Sequence, residues 1–444
     1  MQSSAAWRLI ARVFLPFAAG YYLSYLFRTI NALISGHLIS DIGLRTSDLG
    51  LLTSVYFFVF AAAQIPIGIL LDRFGPRRVQ SALLLVAAAG AGLFATSTGL
   101  PSLLISRAMI GLGVAAALTA GLKSIVLWFP KERAALLNGY MIMLGSFGAV
   151  TATTPAEHLL VWIGWRQLFE ILATATGATA VLVYIVVPER VTTPSIGLTP
   201  ATLGSVFSDK RFWRIAPLSA TCVGSAWSLQ GLWAAPWLTD VEGLGRESLV
   251  GQLFIMSIVL CGGAWLFGTT VHCIRRRGGG AETILAVVAM LFIAAELALI
   301  LRAPLPSILP WSVVAIVGTA TVVSFAVIAD YFPPELAGRA NGALNVLHFG
   351  WAFLAQYGTG LILEQWRTDG SHGPILAYQI AFGVNAALQI GALVWFALPS
   401  LRSFTRWMGS IAFFAPASVS ESVESAISYE QAIVLIPIDG DAEW

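Results

Sequence analysis

Residues 129–139 read FPKERAALLNG, and residues 332–342 read FPPELAGRANG. At an offset of 203 the pairs Phe129/Phe332, Pro130/Pro333, Glu132/Glu335, Ala134/Ala337, Asn138/Asn341 and Gly139/Gly342 are identical. A second echo lies at an offset of 200. Gly68, Asp72, Arg73, Gly75, Arg77 and Arg78 in the first copy face Gly268, His272 and Arg275 to Arg277 in the second. Both echoes fall in polar segments between long apolar runs, where coincidental identity is scarce. Parallel repeats of this kind mark one way of building a membrane transporter, with the site between the repeats.

The apolar runs define those repeats. Of 444 residues, 57% are hydrophobic and 11% charged, and the mean hydropathy is +0.80. A soluble domain carries about 25% charged residues, so this chain cannot cover a water-facing surface of ordinary size. The predicted fold is an all-α membrane protein, since helices satisfy their own backbone groups in lipid. Twelve runs are long enough to cross a bilayer, at about 20 residues each: 12–36, 47–71, 77–98, 101–128, 133–155, 166–187, 213–239, 247–273, 282–302, 305–329, 337–363 and 374–398. With the N-terminus inside, 17 Lys and Arg fall in inner segments and 5 in outer ones. That asymmetry predicts that both termini are cytoplasmic. The expected organisation is a six-helix bundle over 1–187, a cytoplasmic linker over 188–212, a second bundle over 213–398 and an acidic cytoplasmic tail over 399–444. The net charge of +2 leaves no basic face for nucleic acid. Cys222, Cys261 and Cys273 show neither metal nor disulfide spacing. No metalloprotease, P-loop or dinucleotide motif occurs, so an enzyme is not expected, nor a cofactor or metal.

Three segments carry a family resemblance. GILLDRFGPRR (68–78) resembles the signature between helices two and three of the major facilitator superfamily. RAMIGLGVA (107–115) resembles its helix-four motif, with Arg107, Gly111 and Gly113 at the matching positions, and the duplicated Phe-Pro…Asn-Gly loops resemble its inner loops. The likeness runs over about residues 10–400. It implies a two-bundle transporter working by alternating access, with helices one, four, seven and ten lining a central cavity. Asp72 is expected to latch the bundles on the inner side, against the positive end of the eleventh helix, while the site faces outward. Arg73, Arg77 and Arg78 add charged contacts there, and Gly75 forms the turn.

Charges inside the spans are costly and usually functional. Tyr21, Ser24, Tyr25 and Arg28 share one face of the first span, with Asn31 next above. A guanidinium keeps its proton and presents a fork suited to carboxylate or phosphate. Arg28 is therefore the expected anion-binding group, framed by Tyr25 and Asn31, and by Trp227 and Gln230 from the seventh span. The tyrosines leading to an Arg in helix one resemble the organic-anion and organophosphate branches of the superfamily. In the glycerol-3-phosphate antiporter branch a second Arg stands in helix seven, eight residues before a Pro. Here that position, eight residues before Pro236, is Ser228. The missing clamp argues against a phosphate ester and toward a carboxylate or a larger amphipathic anion. Arg107 and Lys123, 16 residues apart, point nearly opposite ways, and Lys123 is expected to snorkel to the inner surface. His348 and Glu296 are the candidate proton-coupling groups.

The expected function is a multi-pass secondary transporter of the bacterial inner membrane that moves a small organic anion by proton symport. Its expected partners are the small-molecule substrate, the proton and the lipid bilayer, with the chain acting as a monomer. Two alternatives stay open: a proton-driven exporter of hydrophobic or amphipathic compounds, and a non-transporting membrane sensor.

Overall fold

In a computed structural model of the chain, residues 7–189, 200–276, 280–332, 334–368 and 374–413 are described. Part of the expected linker (190–199) and most of the expected tail (414–444) lie outside them. The described residues are almost entirely helical. A π-helical turn (Ile10–Phe14) leads into α1 (Leu15–Ile42), followed by α2 (Thr46–Thr96), α3 (Leu100–Val114), α4 (Ala117–Trp128), α5 (Lys131–Thr151) and α6 (Thr154–Val186). A short α7 (Pro200–Phe207) precedes α8 (Lys210–Ser228), a second π turn (Leu229–Trp233) and α9 (Ala234–Asp240). Then come α10 (Arg246–Arg276), α11 (Ala281–Ile300), α12 (Ile308–Val317), α13 (Thr321–Tyr331), α14 (Pro334–Thr368) and α15 (Pro374–Phe413).

Nine helices among the described residues are long and apolar enough to cross a membrane. One of them, α2, spans two of the predicted crossings: it is kinked at Gly75, whose φ of 77° and ψ of 160° lie outside the helical region. A β-carbon is disfavoured at that φ, which is what the Gly between Phe74 and Pro76 supplies. Predicted spans 133–155 and 213–239 fall on α5 and on the α8–π–α9 run. Two boundaries differ from the sequence reading. The sixth helix begins at Thr154 and bends at Gly164 (φ 76°), so the segment before Trp165 is helical rather than a loop. The last helix continues through Phe413, past the boundary set at 398. Residues through Leu393 form one compact unit, and Val394 onward a second.

The surface of the first unit is apolar where a soluble protein would be charged. Val126, Val161, Trp162, Ile185 and Trp265 are 70–87% exposed, which makes sense only against lipid. Inside, small residues let helices approach. A β-carbon on Gly111 would lie 2.7 Å from the Tyr56 carbonyl oxygen, and one on Gly113 would lie 2.3 Å from the Ala87 nitrogen. These two glycines of the helix-four motif thus seat α3 against both arms of α2.

Antiparallel pairing of α2 with α14 defines two ends. Gly50 meets Gly360, Ser54 Oγ donates to the Phe353 carbonyl (3.2 Å), and Gln64 pairs with Asn345. The near end carries Asp72, Lys123 and the start of α14. The far end carries Gly43, Glu157 and Arg246.

Candidate functional site

Between these ends lies a cavity of about 310 Å3, toward the small end of ligand sites. α1 contributes Tyr21, Ser24, Tyr25 and Arg28, the i, i+3, i+4, i+7 stripe of one helix face. α2 contributes Tyr56, Phe60 and Gln64, and α14 contributes Asn341, Asn345 and Phe349, each at a spacing of four. Trp227 enters from α8, Thr321 and Phe325 from α13, and Thr119 from α4. Among the described side chains that line it, Arg28 carries the one formal charge.

Arg28 is held by rings rather than by an acid. Its guanidinium carbon lies 4.0 Å from the Tyr25 ring centroid and 5.0 Å from that of Trp227. Among the described residues no carboxylate lies within 4.0 Å of it. Stacking covers the faces of a guanidinium and leaves its in-plane N–H groups for an anion. Trp227 is fixed in turn, since its indole N–H donates to the Gly318 carbonyl at 2.7 Å and its ring packs on Phe349 at 4.6 Å. Phe349 stacks on Phe60 at 4.0 Å, so the aromatic wall is continuous from α8 through α14 to α2.

Tyr25, Arg28 and Trp227 are brought together; Asn31 and Gln230 are not. Asn31 is buried, and its Oδ1 finds no partner. The π turn packs across α1 just beyond Arg28, where a β-carbon on Gly231 would lie 3.8 Å from the Arg28 carbonyl oxygen. Gln230, three residues after Trp227 and so about 60° around the helix from it, lines a separate small recess with Thr29 and Met256. Ser228, at the position of the second arginine, is buried with its Oγ unpartnered.

The near-end signature is organised differently from expectation. Lys123 does not snorkel: its Nζ lies 2.5 Å from Asp72 Oδ1 and donates to the Leu71 carbonyl at 2.8 Å. A carboxylate at a helix end within reach of a lysine on α4 is a better partner than the open surface. Asp72 thus has a partner on α4 in this arrangement, with the far end shut; the expected latch against α14 belongs to the opposite one. Arg78 pairs with Glu189, Arg77 sits 3.9 Å from the same carboxylate and over the Tyr184 ring, and Arg73 stacks on Phe74.

Arg107 is fully buried away from the cavity. Its guanidinium lies 4.7 Å from the Phe94 ring and 5.6 Å from that of Phe169, and it donates to the Phe27 carbonyl at 3.3 Å. His348 and Glu296 are fully buried and do not line the cavity. His348 Nε2 lies 2.7 Å from Ser219 Oγ, which donates to Ser324 Oγ. Glu296 Oε1 accepts from Asn385 Nδ2 at 2.5 Å. Asn385 Oδ1 accepts from Ser225, and Ser225 Oγ accepts from the Trp351 indole. Among the described residues no cluster of His, Cys, Asp and Glu could hold a metal.

The sequence profile of the Major Facilitator Superfamily matches residues 17–356, most of the chain, and the chain belongs to that family. Among individual proteins, it is 26% identical over 157 residues to the probable sulfoacetate transporter SauU of Cupriavidus necator, covering 35% of this chain and 36% of that one. It is 24% identical over 264 residues to the hexuronate transporter of Escherichia coli, covering 55% and 60%. The chain thus spans from about a third to about 60% of these relatives' lengths. The crystal structure of a bacterial homolog of the human lysosomal transporter Spinster, inward-facing and unoccupied, superposes with a TM-score of 0.72. It covers 89% of this chain and 98% of that chain at 19% identity, which is a likeness of fold.

Proposed function

We propose that this chain is a secondary active transporter that moves a small organic anion of carboxylate type across a bacterial inner membrane by alternating access, in symport with protons. In this reading twelve helices form two six-helix bundles (1–187 and 213–398) around the cavity. Both termini and the near end are cytoplasmic. Arg28 is the substrate-binding group, with Tyr25 and Trp227 positioning it, and the Asp72 segment controls the near end. The observation that carries the reading is Arg28: a cation inside the membrane span, in a cavity shared by α1, α2, α8 and α14, with aromatic faces around it and no acid beside it. An unpaired intramembrane charge costs several kcal/mol, so the arrangement persists where a counter-charge arrives as ligand. Relatives named for sulfoacetate and hexuronate, both anions, support it.

The test is uptake of labelled organic anions into proteoliposomes, with and without an imposed pH gradient. Saturable uptake that is lost in Arg28→Gln supports the reading. Uptake that ignores Arg28, or failure of every anion, refutes it. Uptake that depends on Arg28 but ignores the pH gradient removes only the proton.

A further inference from the structure

The walls around Arg28 say more than its charge does. Tyr25 and Trp227 flank the guanidinium, and Trp227 continues into a connected aromatic wall, packing on Phe349, which stacks on Phe60. Several polar side chains of the cavity are spent on the protein itself, and Asn341 Oδ1 is an acceptor without a partner among the described residues. Gln64 Nε2 reaches the Phe60 and Ala115 carbonyls, each at 3.3 Å, while its Oε1 takes the Asn345 amide. Ser24 donates to the Val114 carbonyl at 3.4 Å and Thr119 to that of Ala116 at 3.1 Å. A ligand with many hydroxyls would outnumber the partners left here, and buried donors without acceptors are costly. A ligand with one anionic group and a flat apolar body would meet one cation and the parts of Phe349 and Phe60 that their mutual stacking leaves uncovered.

We infer that the ligand of this cavity is an aromatic monocarboxylate, a small arene bearing a single carboxylate, rather than a polyhydroxylated sugar acid. The inference rests on the reading of the cavity as an anion site and narrows it. The carboxylate takes the in-plane edge of Arg28, which the stacked rings leave open. The arene lies along Phe349 and Phe60, where offset or edge-to-face packing adds to the burial of apolar area. A single unneutralised charge in the lining favours a monoanion over a dianion. The cavity's size suits one ring rather than a fused or extended system.

The experiment is equilibrium binding of labelled benzoate, galactonate, sulfoacetate and acetate, each alone and in competition with the others, to the purified full-length protein in lipid nanodiscs. The expected result is saturable benzoate binding, with benzoate displacing labelled benzoate at least about tenfold more effectively than galactonate does, given the worth of ring packing. Arg28→Gln abolishes that binding in a protein that elutes as the wild type does. Phe349→Leu, which keeps apolar bulk and removes the ring, weakens benzoate several-fold. Galactonate or sulfoacetate binding that requires Arg28, without benzoate binding, overturns the inference and leaves the anion site standing. Benzoate binding that survives Arg28→Gln, or no binding by any of the four, overturns both.

Discussion

At the far end one ion pair joins α6 to α10. Arg246 Nε lies 2.7 Å from Glu157 Oε1, a second guanidinium nitrogen lies 2.5 Å from Oε2, and the same nitrogen donates to the Leu33 carbonyl of α1 at 3.0 Å. The side chains are 39% and 14% exposed. A fork-to-fork pair is at the strong end of its class, but solvent screens one partner, so its net worth is about 1 kcal/mol. Below it, α2 and α14 meet at Gly50 and Gly360, and Ser54 is fully buried. Ser54 becomes reachable only if these helices part. Glu157→Gln removes the charge and leaves the Leu33 contact. Losing about 1 kcal/mol from the closed state alone raises the open population about fivefold. The assay is the rate at which a Ser54→Cys protein, with the native cysteines replaced by alanine, reacts with a charged thiol reagent. The expectation is a rate about fivefold higher in the Glu157→Gln background, restored toward wild type by exchanging the two charges as Glu157→Arg with Arg246→Glu. An unchanged rate, or rapid labelling of the parent, would refute the view that this pair holds the far end shut.

Asp72→Asn is expected to cut transport while sparing expression, and the double variant with Lys123→Gln should be no worse than the worse single one, because the two groups share one contact; losses that multiply would mean they act separately. Gly111→Val should lower thermal stability in detergent by several degrees or abolish folding, since its β-carbon would meet the Tyr56 backbone at 2.7 Å. Gly92→Ala, where a β-carbon meets nothing within 4 Å, should be neutral, and equal effects would count against the close-packing account. Asp209 caps α8 by accepting from the Arg211 backbone at 2.8 Å, and hydrogen bonds from the Arg211 side chain hold its carboxyl below the usual range. A depressed folded pKa contributes stability above the ordinary value and loses it as pH falls through the lower one. The protection factors of amides in the first turn of α8 should therefore fall as the pH drops below about 4, and fall less in Asp209→Asn; equal pH profiles would refute this.

Much of the fold was legible because lipid forces a simple code: long apolar runs, breakers, and a glycine where the chain must turn at positive φ, as at Gly75. The stripe Tyr21–Ser24–Tyr25–Arg28 was legible for a related reason, since α1 is regular through those residues and spacing gives direction. The same arithmetic failed at Gln230, because about 60° of separation from Trp227 is enough to turn a side chain from the cavity into the neighbouring recess. It failed at Lys123 because the distance to Asp72 is set by how α4 packs on α2, not by either sequence. The contributions of α2 and α14 went unread although a signal existed. Tyr56, Phe60 and Gln64, like Asn341, Asn345 and Phe349, repeat at four-residue spacing, a stripe of rings and amides that lipid would not favour. The bend at Gly164 was missed because a helical segment before Trp165 is apolar enough to pass for either loop or span.

Arg28 also bears on why closing the cavity should be easier with a ligand than without one. In the present arrangement the far end is shut by Gly50, Gly360 and the Glu157–Arg246 pair, and the cavity lining runs from Arg28 toward Asn341 and Leu122 at the near end. Closing the near end over an empty cavity would enclose a guanidinium with no acid beside it, at a cost of several kcal/mol. Closing it over a bound carboxylate would enclose a neutral, hydrogen-bonded pair. The ligand thus has the differential interaction with two states that a conformational cycle requires. His348 and Glu296 do not alter this balance directly, because their hydrogen-bond chains end on Ser219 and Ser225 of α8 rather than on Arg28. A proton taken up there would act through the position of α8 and its Trp227. It follows that Arg28→Gln should remove the penalty for closing empty. Spin labels across the near end should show a larger ligand-free closed population in Arg28→Gln than in the wild type, and identical distance distributions in the two proteins would show that the cation does not bias the cycle.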